Sequence, residues 1–460
     1  MFLPRRKNIR EIIRQSKEKP LKKTLSSIDL IMIGIGCTIG TGIFVITGIA
    51  AAKYAGPAIS ISYLIAAIVC IFAGLAYAEL ASMVPVSGSA YTYTYAFLGE
   101  FVAWAVGWGL VLEYLIGAST VASGWSGYMV GILGAGGIDL PEYLTKVPSE
   151  EGGLINLPAI CISLFIGFLL VRGTKESILL NRILVVTKLI VIFIFLFVSA
   201  PMIDYENYSN FAPFGVNGVL IGAAVVFYAY IGFDAVATTA EECKNPERDL
   251  PIGIIVSAVV CAVLYITVSL ALTGISHYST LNNPEPLARA LRENGSTIGS
   301  ALVATGAIAG ITSVLLVLMY SQSRIFFAMS RDKMLPKFFG KLNAKTHSPT
   351  NSAIVVAFFV ALVSGFLPLE LLSNMVSLGT LFAFMIVSVG VMILRKYEPD
   401  IKRSFKCPAV NIIAPIAILS CGYLVFELLK KNGWYFLAWG IAGLIIYLSY
   451  GFRKSPLKKK

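Results

Sequence analysis

Two stretches of the chain combine glycines, hydroxyl side chains and apolar residues in a pattern that interrupts a helix. Residues 34–44 read GIGCTIGTGIF and residues 228–234 read YAYIGFD. Glycine favours helix breaks, and a break inside a membrane frees N–H and C=O groups that must find polar partners. Freed N–H groups suit a carboxylate, and freed carbonyls suit an ammonium group. The two stretches therefore predict a site for a zwitterion.

The glycines of the first stretch allow a second interpretation. Gly36 and Gly40 form a Gly-x-x-x-Gly pattern, which also occurs where two membrane helices pack closely. The second stretch favours binding, because glycine interruptions at matching positions of two halves mark sites built from inverted repeats. The helix breaks are expected at Gly40, Gly42 and Gly232.

Three ionisable residues lie within apolar segments. Lys188 is at the centre of segment 178–199, too deep for its side chain to reach water, so it is expected to face a cavity or a polar partner. Glu113 either faces a ligand pathway or bonds a neighbouring helix. Asp234 follows the second stretch and either bonds across the cavity or caps the next helical turn.

The elements that position these residues are membrane helices. The chain has 460 residues, of which 57% are hydrophobic and 13% charged, whereas a soluble protein has about 25% charged residues. Its apolar segments are about 20 residues long, which is the length of a helix that spans a membrane. A strand of a membrane barrel needs only about 10 residues. We predict an all-α polytopic membrane protein with about twelve spans: 27–51, 59–83, 101–133, 157–172, 178–199, 213–240, 252–275, 297–328, 351–367, 371–394, 411–429 and 434–452.

The distribution of positive charge predicts the orientation. With an even number of spans both termini lie on one side, and that side holds most of the 37 lysines and arginines. Excess lysine and arginine marks the cytoplasmic side, so we expect a multi-pass protein of the cell membrane with both termini cytoplasmic. The net charge of +12 then faces the headgroups of the lipid bilayer and does not indicate a nucleic-acid partner.

Several classes of protein are disfavoured. The sequence has no nucleotide-binding GxxxxGK[ST] loop, no HExxH zinc motif and no GxSxG motif, so we expect neither an enzyme nor a cofactor or metal. Its seven cysteines contain no CxxC pair. No pore-lining signature of a channel is visible, which leaves secondary transport as the leading class.

Four motifs carry a resemblance to a known family. They are IGTGIF (39–44), PVSGSAYTYTY (85–95), FYAYIGFDAVATTAEE (227–242) and SRIFFAMSRDKMLP (323–336). With them the chain resembles the amino acid–polyamine–organocation superfamily and, within it, the bacterial members of the cationic amino acid transporter family. The likeness runs from about residue 21 to the twelfth span.

The resemblance implies a five-plus-five inverted-repeat transporter fold with discontinuous helices 1 and 6. It divides the chain into five parts: a basic N-terminal arm (1–26), a first repeat (27–199), an inverted second repeat (213–394), peripheral helices 11 and 12 (411–452) and a tail (453–460).

The resemblance also implies roles for individual residues. The substrate carboxylate would meet the backbone N–H groups of Thr41 and Gly42. The amino group would meet the carbonyls of Thr38, Tyr228 and Ile231. Selectivity for the side chain would come from the third, sixth, eighth and tenth spans, where Glu113 and Asp234 are further candidates for substrate contact.

Lys188 is expected to act in proton coupling. In sodium-dependent relatives of this fold a cation lies between the first, fifth and eighth spans. The resemblance implies that the Lys188 ammonium takes this place, beside the hydroxyls of Thr312 and Ser313 and carbonyls of the first span.

We therefore expect a secondary active transporter that imports amino acids by alternating access, coupled to protons and independent of sodium. Two alternatives stay open: an amino acid or polyamine exchanger without ion coupling, and a substrate-sensing receptor on the same scaffold. The sequence does not indicate whether a small accessory membrane subunit is present.

Overall fold

The computed structural model of the chain describes residues 25–83, 89–172, 178–240, 243–343, 349–397, 399–401 and 403–455. Of the predicted arm it describes residues 25–26, and of the predicted tail 453–455; the remainder of both lies outside the described residues. Within the described residues the structure is helical, with one isolated parallel bridge between Leu25 and Cys243. The α-helices are α1 (Ser27–Thr38), α2 (Thr47–Ala50), α3 (Ile59–Met83), α4 (Ser89–Phe97), α5 (Glu100–Ala135), α6 (Glu142–Thr145), α7 (Leu157–Arg172), α8 (Ile178–Ser199), α9 (Gly215–Val226), α10 (Ala235–Thr238), α11 (Pro246–Ile275), α12 (Pro286–Glu293), α13 (Thr297–Arg331), α14 (Thr350–Phe366), α15 (Leu369–Tyr397), α16 (Val410–Ile446) and α17 (Phe452–Lys454).

Eight helical stretches of the described residues are long and apolar enough to cross a membrane. They are Gly42–Met83, Glu100–Ala135, Ile183–Met202, Gly215–Ala237, Pro246–Ile275, Thr297–Arg331, Leu369–Tyr397 and Val410–Lys454. The first stretch covers the second half of the predicted span 27–51 and all of 59–83, and the last covers 411–429 and 434–452, because no gap in helical structure separates the members of each pair. Three shorter apolar helices are α1, which forms the first half of the predicted span 27–51, and α7 and α14, which match the predicted spans 157–172 and 351–367. The fold is thus all-helical and polytopic, and the count of twelve stays a prediction.

Burial separates central from outer helices. The most apolar part of the stretch Gly215–Ala237 is 83% buried, whereas that of Val410–Lys454 is 28% buried. In the interior, α3 packs against α11, α5 against α13 and α7 against α14. Most residues of the predicted site therefore lie on helices that are largely buried, whereas Lys188 lies on the stretch Ile183–Met202, whose most apolar part is 33% buried.

A buried ion cluster joins α3 to α15 and to the loop that follows it. The Glu79 side chain at the end of α3 is 1% exposed. Its two oxygens accept hydrogen bonds from Arg395 Nε at 3.0 Å and Nη2 at 2.6 Å. Arg403 Nε lies 3.3 Å away, and the backbone N–H of Cys407 donates at 2.7 Å. Both oxygens of the Glu79 carboxylate have hydrogen-bond or ion-pair partners within the protein. We therefore assign the cluster a structural role.

We predict that Glu79→Ala strongly destabilises the protein. Removal of one partner leaves Arg403 buried without its counter-charge, which costs about 3–5 kcal/mol of unfolding free energy. Thermal unfolding of the purified protein in detergent measures the effect. Glu142→Ala is the matched control, because Glu142 pairs with Lys146 at the surface and its loss costs less than about 1 kcal/mol. Equal unfolding temperatures for both variants would contradict the structural role of Glu79.

Candidate functional site

The first helix break lies directly after α1. This helix begins with a capping box in which Ser26 and Asp29 accept each other's backbone N–H groups, and it ends at Thr38. Ile39 adopts an extended conformation, with φ −77° and ψ 103°, and helical geometry resumes at Gly42. A helix end leaves backbone groups without internal partners, so carbonyls before Ile39 and N–H groups near Gly42 are available to other groups.

The second break divides the predicted sixth span. After α9 a single 3₁₀ turn covers Phe227–Tyr230, and Ile231 is extended, with ψ 137°. Gly232 then has φ +117°, a conformation that side-chain-bearing residues rarely adopt. α10 begins at Ala235. The first interruption lies at Ile39 and Gly40, with Gly42 already in helical geometry, and the second lies at residues 231–234.

Glycines bring the two breaks into direct contact. A Cβ added to Gly42 would lie 2.5 Å from the Cα and Cβ atoms of Ala229. A Cβ added to Gly232 would lie 2.9 Å from the carbonyl oxygen of Cys37. Neither position tolerates a side chain without backbone movement. The freed backbone groups of both helices are therefore gathered in one place.

A small cavity lies at this crossing, with a volume of about 20 Å³. Seven predicted site residues line it: Thr38, Gly40, Thr41, Gly42, Glu113, Tyr228 and Ile231. Such a volume holds about one water molecule. The cavity must widen before a larger molecule can enter.

One wall of the cavity is apolar. It is formed by Gly117 and Val121 of α5, Val314 and Leu318 of α13, and Val376 of α15. These residues come from the third, eighth and tenth predicted spans. The breaks thus form a polar side of the cavity, and three other helices form an apolar side.

Tyrosine hydroxyls bond the carbonyls near the breaks. Tyr265 of α11 donates to Thr38 O, with an oxygen–oxygen distance of 2.9 Å. Tyr63 of α3 lies 3.2 Å from Gly42 O. The sequence interpretation missed these two tyrosines. Their position in the middle of apolar spans is the signal that could have found them, because a buried hydroxyl needs a partner.

The Thr41 and Tyr228 side chains form a direct link between the breaks, with 2.9 Å between their oxygens. Both residues line the cavity. The link ties the start of the second half of helix 1 to the 3₁₀ turn of the second break.

Glu113 and Asp234 lie close together in the interior. The two side chains are 2% and 1% exposed, and they repel each other when both are charged. Glu113 lines the cavity; Asp234 does not, and Tyr114 donates to its Oδ2 at 3.5 Å. Oε1 of Glu113 and Oδ1 of Asp234 have no hydrogen-bond partner among the described residues. Buried acceptors of this kind are available to a proton, a water molecule or a ligand.

Lys188 reaches the first broken helix from α8. Its side chain is fully buried, and Nζ donates to Gly36 O at 2.8 Å. The stem passes over Gly310 of α13, where an added Cβ would lie 2.9 Å from Lys188 Cγ. The ammonium thus lies between the first, fifth and eighth predicted spans.

The two hydroxyls predicted beside Lys188 bond within α13. Thr312 donates to Ile308 O at 2.7 Å and accepts from Trp125 Nε1 at 2.9 Å. Ser313 donates to Gly310 O at 2.8 Å. Ser313 therefore bonds the same turn of α13 against which Lys188 packs.

Two broken helices that meet inside an apolar helical bundle define a polytopic membrane protein with a buried cavity. A family model described as amino acid permease matches residues 25–447, so the chain belongs to the amino acid permease family. Membership identifies a transporter and not an enzyme.

Named relatives cover nearly the full length of the chain. It is 44% identical to the branched-chain amino acid permease BcaP of Bacillus subtilis and 43% identical to the methylthioribose transporter of the same organism, each over 99% of both chains. It is 39% identical to the vacuolar cationic amino acid transporter 4 of Arabidopsis thaliana, over 86% of this chain and 68% of that protein.

We predict that Gly42→Ala lowers uptake of substrate at least tenfold. The new methyl group would meet backbone atoms of Ala229 and push the two breaks apart. Uptake by proteoliposomes, normalised to the amount of inserted protein, measures the loss. Gly109→Ala in α5 is the control, because the nearest atom to its added Cβ is 3.8 Å away. Equal uptake by the two variants would show that close approach at Gly42 is not required.

Proposed function

We propose that the protein is a secondary active transporter that imports amino acids across the cell membrane by alternating access, driven by protons and independent of sodium. One observation carries the proposal: residues at the interruptions of two helices line the same buried cavity. The family supports amino acid transport in general, and the particular assignments below are ours.

The polar side of the cavity suits the α-amino and α-carboxyl groups, which all amino acids share. The first N–H groups of a helix attract a carboxylate, and Thr41 and Gly42 begin the second half of helix 1. We assign the carbonyls of Thr38, Tyr228 and Ile231 to the ammonium group of the substrate. Backbone groups bind without the cost of burying a charged side chain, which suits a site far from water.

The apolar side of the cavity suits an aliphatic side chain. Val121, Val314 and Val376 offer only hydrocarbon to a ligand, and Gly117 leaves space beside them. A charged side chain against this wall would lose its hydration without gaining partners there. The name of the BcaP relative, a branched-chain amino acid permease, agrees with this choice.

The packing supports an inverted-repeat fold with twelve spans. If the repeats are 27–199 and 213–394, then α3 and α11 are the second helices of each repeat, α5 and α13 the third, and α7 and α14 the fourth. Each of these pairs is packed together, as expected for equivalent helices that lie near a two-fold axis between the repeats. Two similar halves around a central site can exchange conformations and open the cavity to either side in turn.

In this proposal the protonation state of Lys188 controls the conformation at the first helix break. A protonated Nζ is a strong donor to Gly36 O, and loss of the proton weakens that bond and loosens the end of α1. Protonation and the position of the broken helix are then coupled, in the place where a sodium ion would otherwise lie. The pair Glu113 and Asp234 is a second group that a proton or the substrate ammonium can neutralise.

We predict that L-leucine, L-isoleucine and L-valine are taken up more than tenfold better than L-lysine or L-aspartate. Uptake of labelled amino acids into proteoliposomes under an inward proton gradient measures the preference, with a sodium gradient as the comparison. Uptake that occurs only into vesicles preloaded with an amino acid would show that the protein exchanges amino acids and does not import them with protons. Binding of amino acids without uptake under any gradient would favour a sensor and contradict the transporter proposal.

Lys188→Ala and Lys188→Met are expected to lose proton-driven accumulation by at least tenfold. Methionine keeps the length of the side chain beside Gly310 but removes the donor to Gly36 O. Lys146→Met is the control, since Lys146 is half-exposed and pairs with Glu142. Proton-driven uptake that persists in both Lys188 variants would rule out coupling through this residue.

A further inference from the structure

A segment between α11 and α13 packs on the second half of helix 1, residues 42–55. We call this segment the lid; it comprises residues 281–293 and ends with α12. α12 contacts residues 42–46 and α2. The second half of helix 1 begins at Gly42, which lines the cavity, so the lid holds the part of helix 1 that leads away from the site. The buried face of α12 consists of Pro286, Leu287, Ala288, Ala290 and Leu291.

Three consecutive lid residues each fit against a glycine of another helix. A Cβ added to any of these glycines would lie between 2.1 and 2.6 Å from the nearest atom of its lid partner. Two of the glycines are one turn apart on α5, and the third is in α2. The lid therefore occupies space that absent side chains leave free, and it cannot shift far without separating from both helices. The pairs are Pro284 with Gly127, Glu285 with Gly131, and Pro286 with Gly48.

Glu285 brings a carboxylate into this contact. Its side chain is 8% exposed. Oε1 accepts a hydrogen bond from Nη2 of Arg292, which belongs to the lid itself, at 2.5 Å. Oε2 packs against Gly131 and has no hydrogen-bond partner among the described residues. An ionised oxygen without a donor is costly to bury, and a carboxylate lowers this cost by taking up a proton.

The titratable and charged groups nearest to Glu285 come from the lid and from α5. In the lid these groups are Arg292, which bonds Glu285, and Arg289. Arg289 pairs with Glu293 at the surface, at 2.7 Å. In α5, Tyr128 lies near Glu285, and its hydroxyl donates to a backbone carbonyl of helix 1 at 2.8 Å. None of these groups is a hydrogen-bond donor to Oε2 in the described part of the chain.

The other elements packed against the lid place their described charged groups elsewhere. In the second half of helix 1, Lys53 and Tyr54 both bond Glu370. In α8, Lys188 donates to Gly36 O. The charged residues of α11 and α13 lie at the ends of those helices that are farther from the lid. Burial therefore raises the pKa of Glu285 above its ordinary value, and the hydrogen bond from Arg292 opposes this effect.

We propose that Glu285 is a proton-dependent latch that favours the seated position of the lid. In the seated lid the carboxyl group lies against Gly131, and in a lifted lid it reaches water. The buried group binds a proton more tightly than the exposed one, so a bound proton stabilises the seated lid. Closure over helix 1 then responds to the acidity of the solution that the lid faces, whichever solute the cavity binds.

The sign of the effect follows from the raised pKa of the seated carboxyl group. The stabilisation by the proton is fully present below the ordinary pKa of glutamate, about 4.3. It is lost as the pH rises through the higher pKa of Glu285 in the seated lid. An acidic solution therefore closes the lid, and a neutral or alkaline solution lets it open more often.

Amide hydrogen exchange of the protein in lipid nanodiscs tests the latch, because exchange reports local opening. Both faces of a nanodisc meet the same buffer, so the result depends neither on orientation nor on transport. After correction for the intrinsic exchange rate at each pH, we expect α12 to open at least about threefold more often at pH 8 than at pH 5. Glu285→Gln stays neutral and is expected to open equally often at both pH values. The control Glu293→Gln removes the carboxylate of an exposed pair and is expected to keep the wild-type difference.

The latch is wrong if the wild-type lid opens as often at pH 5 as at pH 8, or more often. It is also wrong if Glu285→Gln keeps the dependence on pH or if Glu293→Gln loses it. Failure of the proposed function is a separate result, because uptake of amino acids by proteoliposomes measures that function and lid exchange does not.

Gly131→Ala tests the same contact without a change of charge, and it serves if Glu285→Gln does not fold. The added methyl group takes the space of the Glu285 carboxyl group. We expect the lid of this variant to open at least about tenfold more often than the wild-type lid at pH 5, with no further increase at pH 8. Gly134→Ala is the control, because the nearest atom to its added Cβ, Oδ1 of Asp139, is 3.6 Å away. Equal exchange of the two alanine variants at pH 5 would overturn the proposal.

Discussion

A backbone polar group that cannot reach water must find a partner inside the protein, and the architecture of this site follows from that constraint. The two broken helices expose carbonyls and N–H groups in the middle of an apolar bundle. Tyr265, Tyr63 and Lys188 each donate to a carbonyl of the first broken helix or its surroundings. The interruption is stable because three other helices supply these donors.

The same constraint explains how a site can be both buried and selective. Hydrogen bonds to the carbonyls of Gly36, Thr38 and Gly42 hold the first break in place, and residues of both breaks line a cavity that holds about one water molecule. Contact of Gly42 with Ala229 and of Gly232 with Cys37 keeps these groups close together. In the proposed function, a ligand with a carboxylate and an ammonium replaces water in this cavity.

Buried charges in this protein fall into two groups according to their partners. Glu79 bonds Arg395 and the Cys407 N–H group, with Arg403 close by, so it has no capacity left for another molecule. Glu113 and Asp234 each keep an oxygen without a partner among the described residues. The first arrangement stabilises the packing of α3, α15 and the adjoining loop, whereas the second leaves acceptors for a proton or a ligand.

The sequence by itself determined the membrane class and the positions of the apolar segments, and it predicted helix breaks near two glycine clusters, because apolar length and glycine clustering are local properties. It also indicated that Lys188 needs a polar partner, since no lysine stem reaches water from that depth. Only the tertiary structure decided which groups satisfy the breaks. Tyr265 and Thr38 are 227 positions apart, and a contact over that distance depends on how α11 packs against α1. The gathering of Thr41, Tyr228 and the apolar wall around one cavity has the same physical cause, because it requires the packing of helices that are distant in sequence.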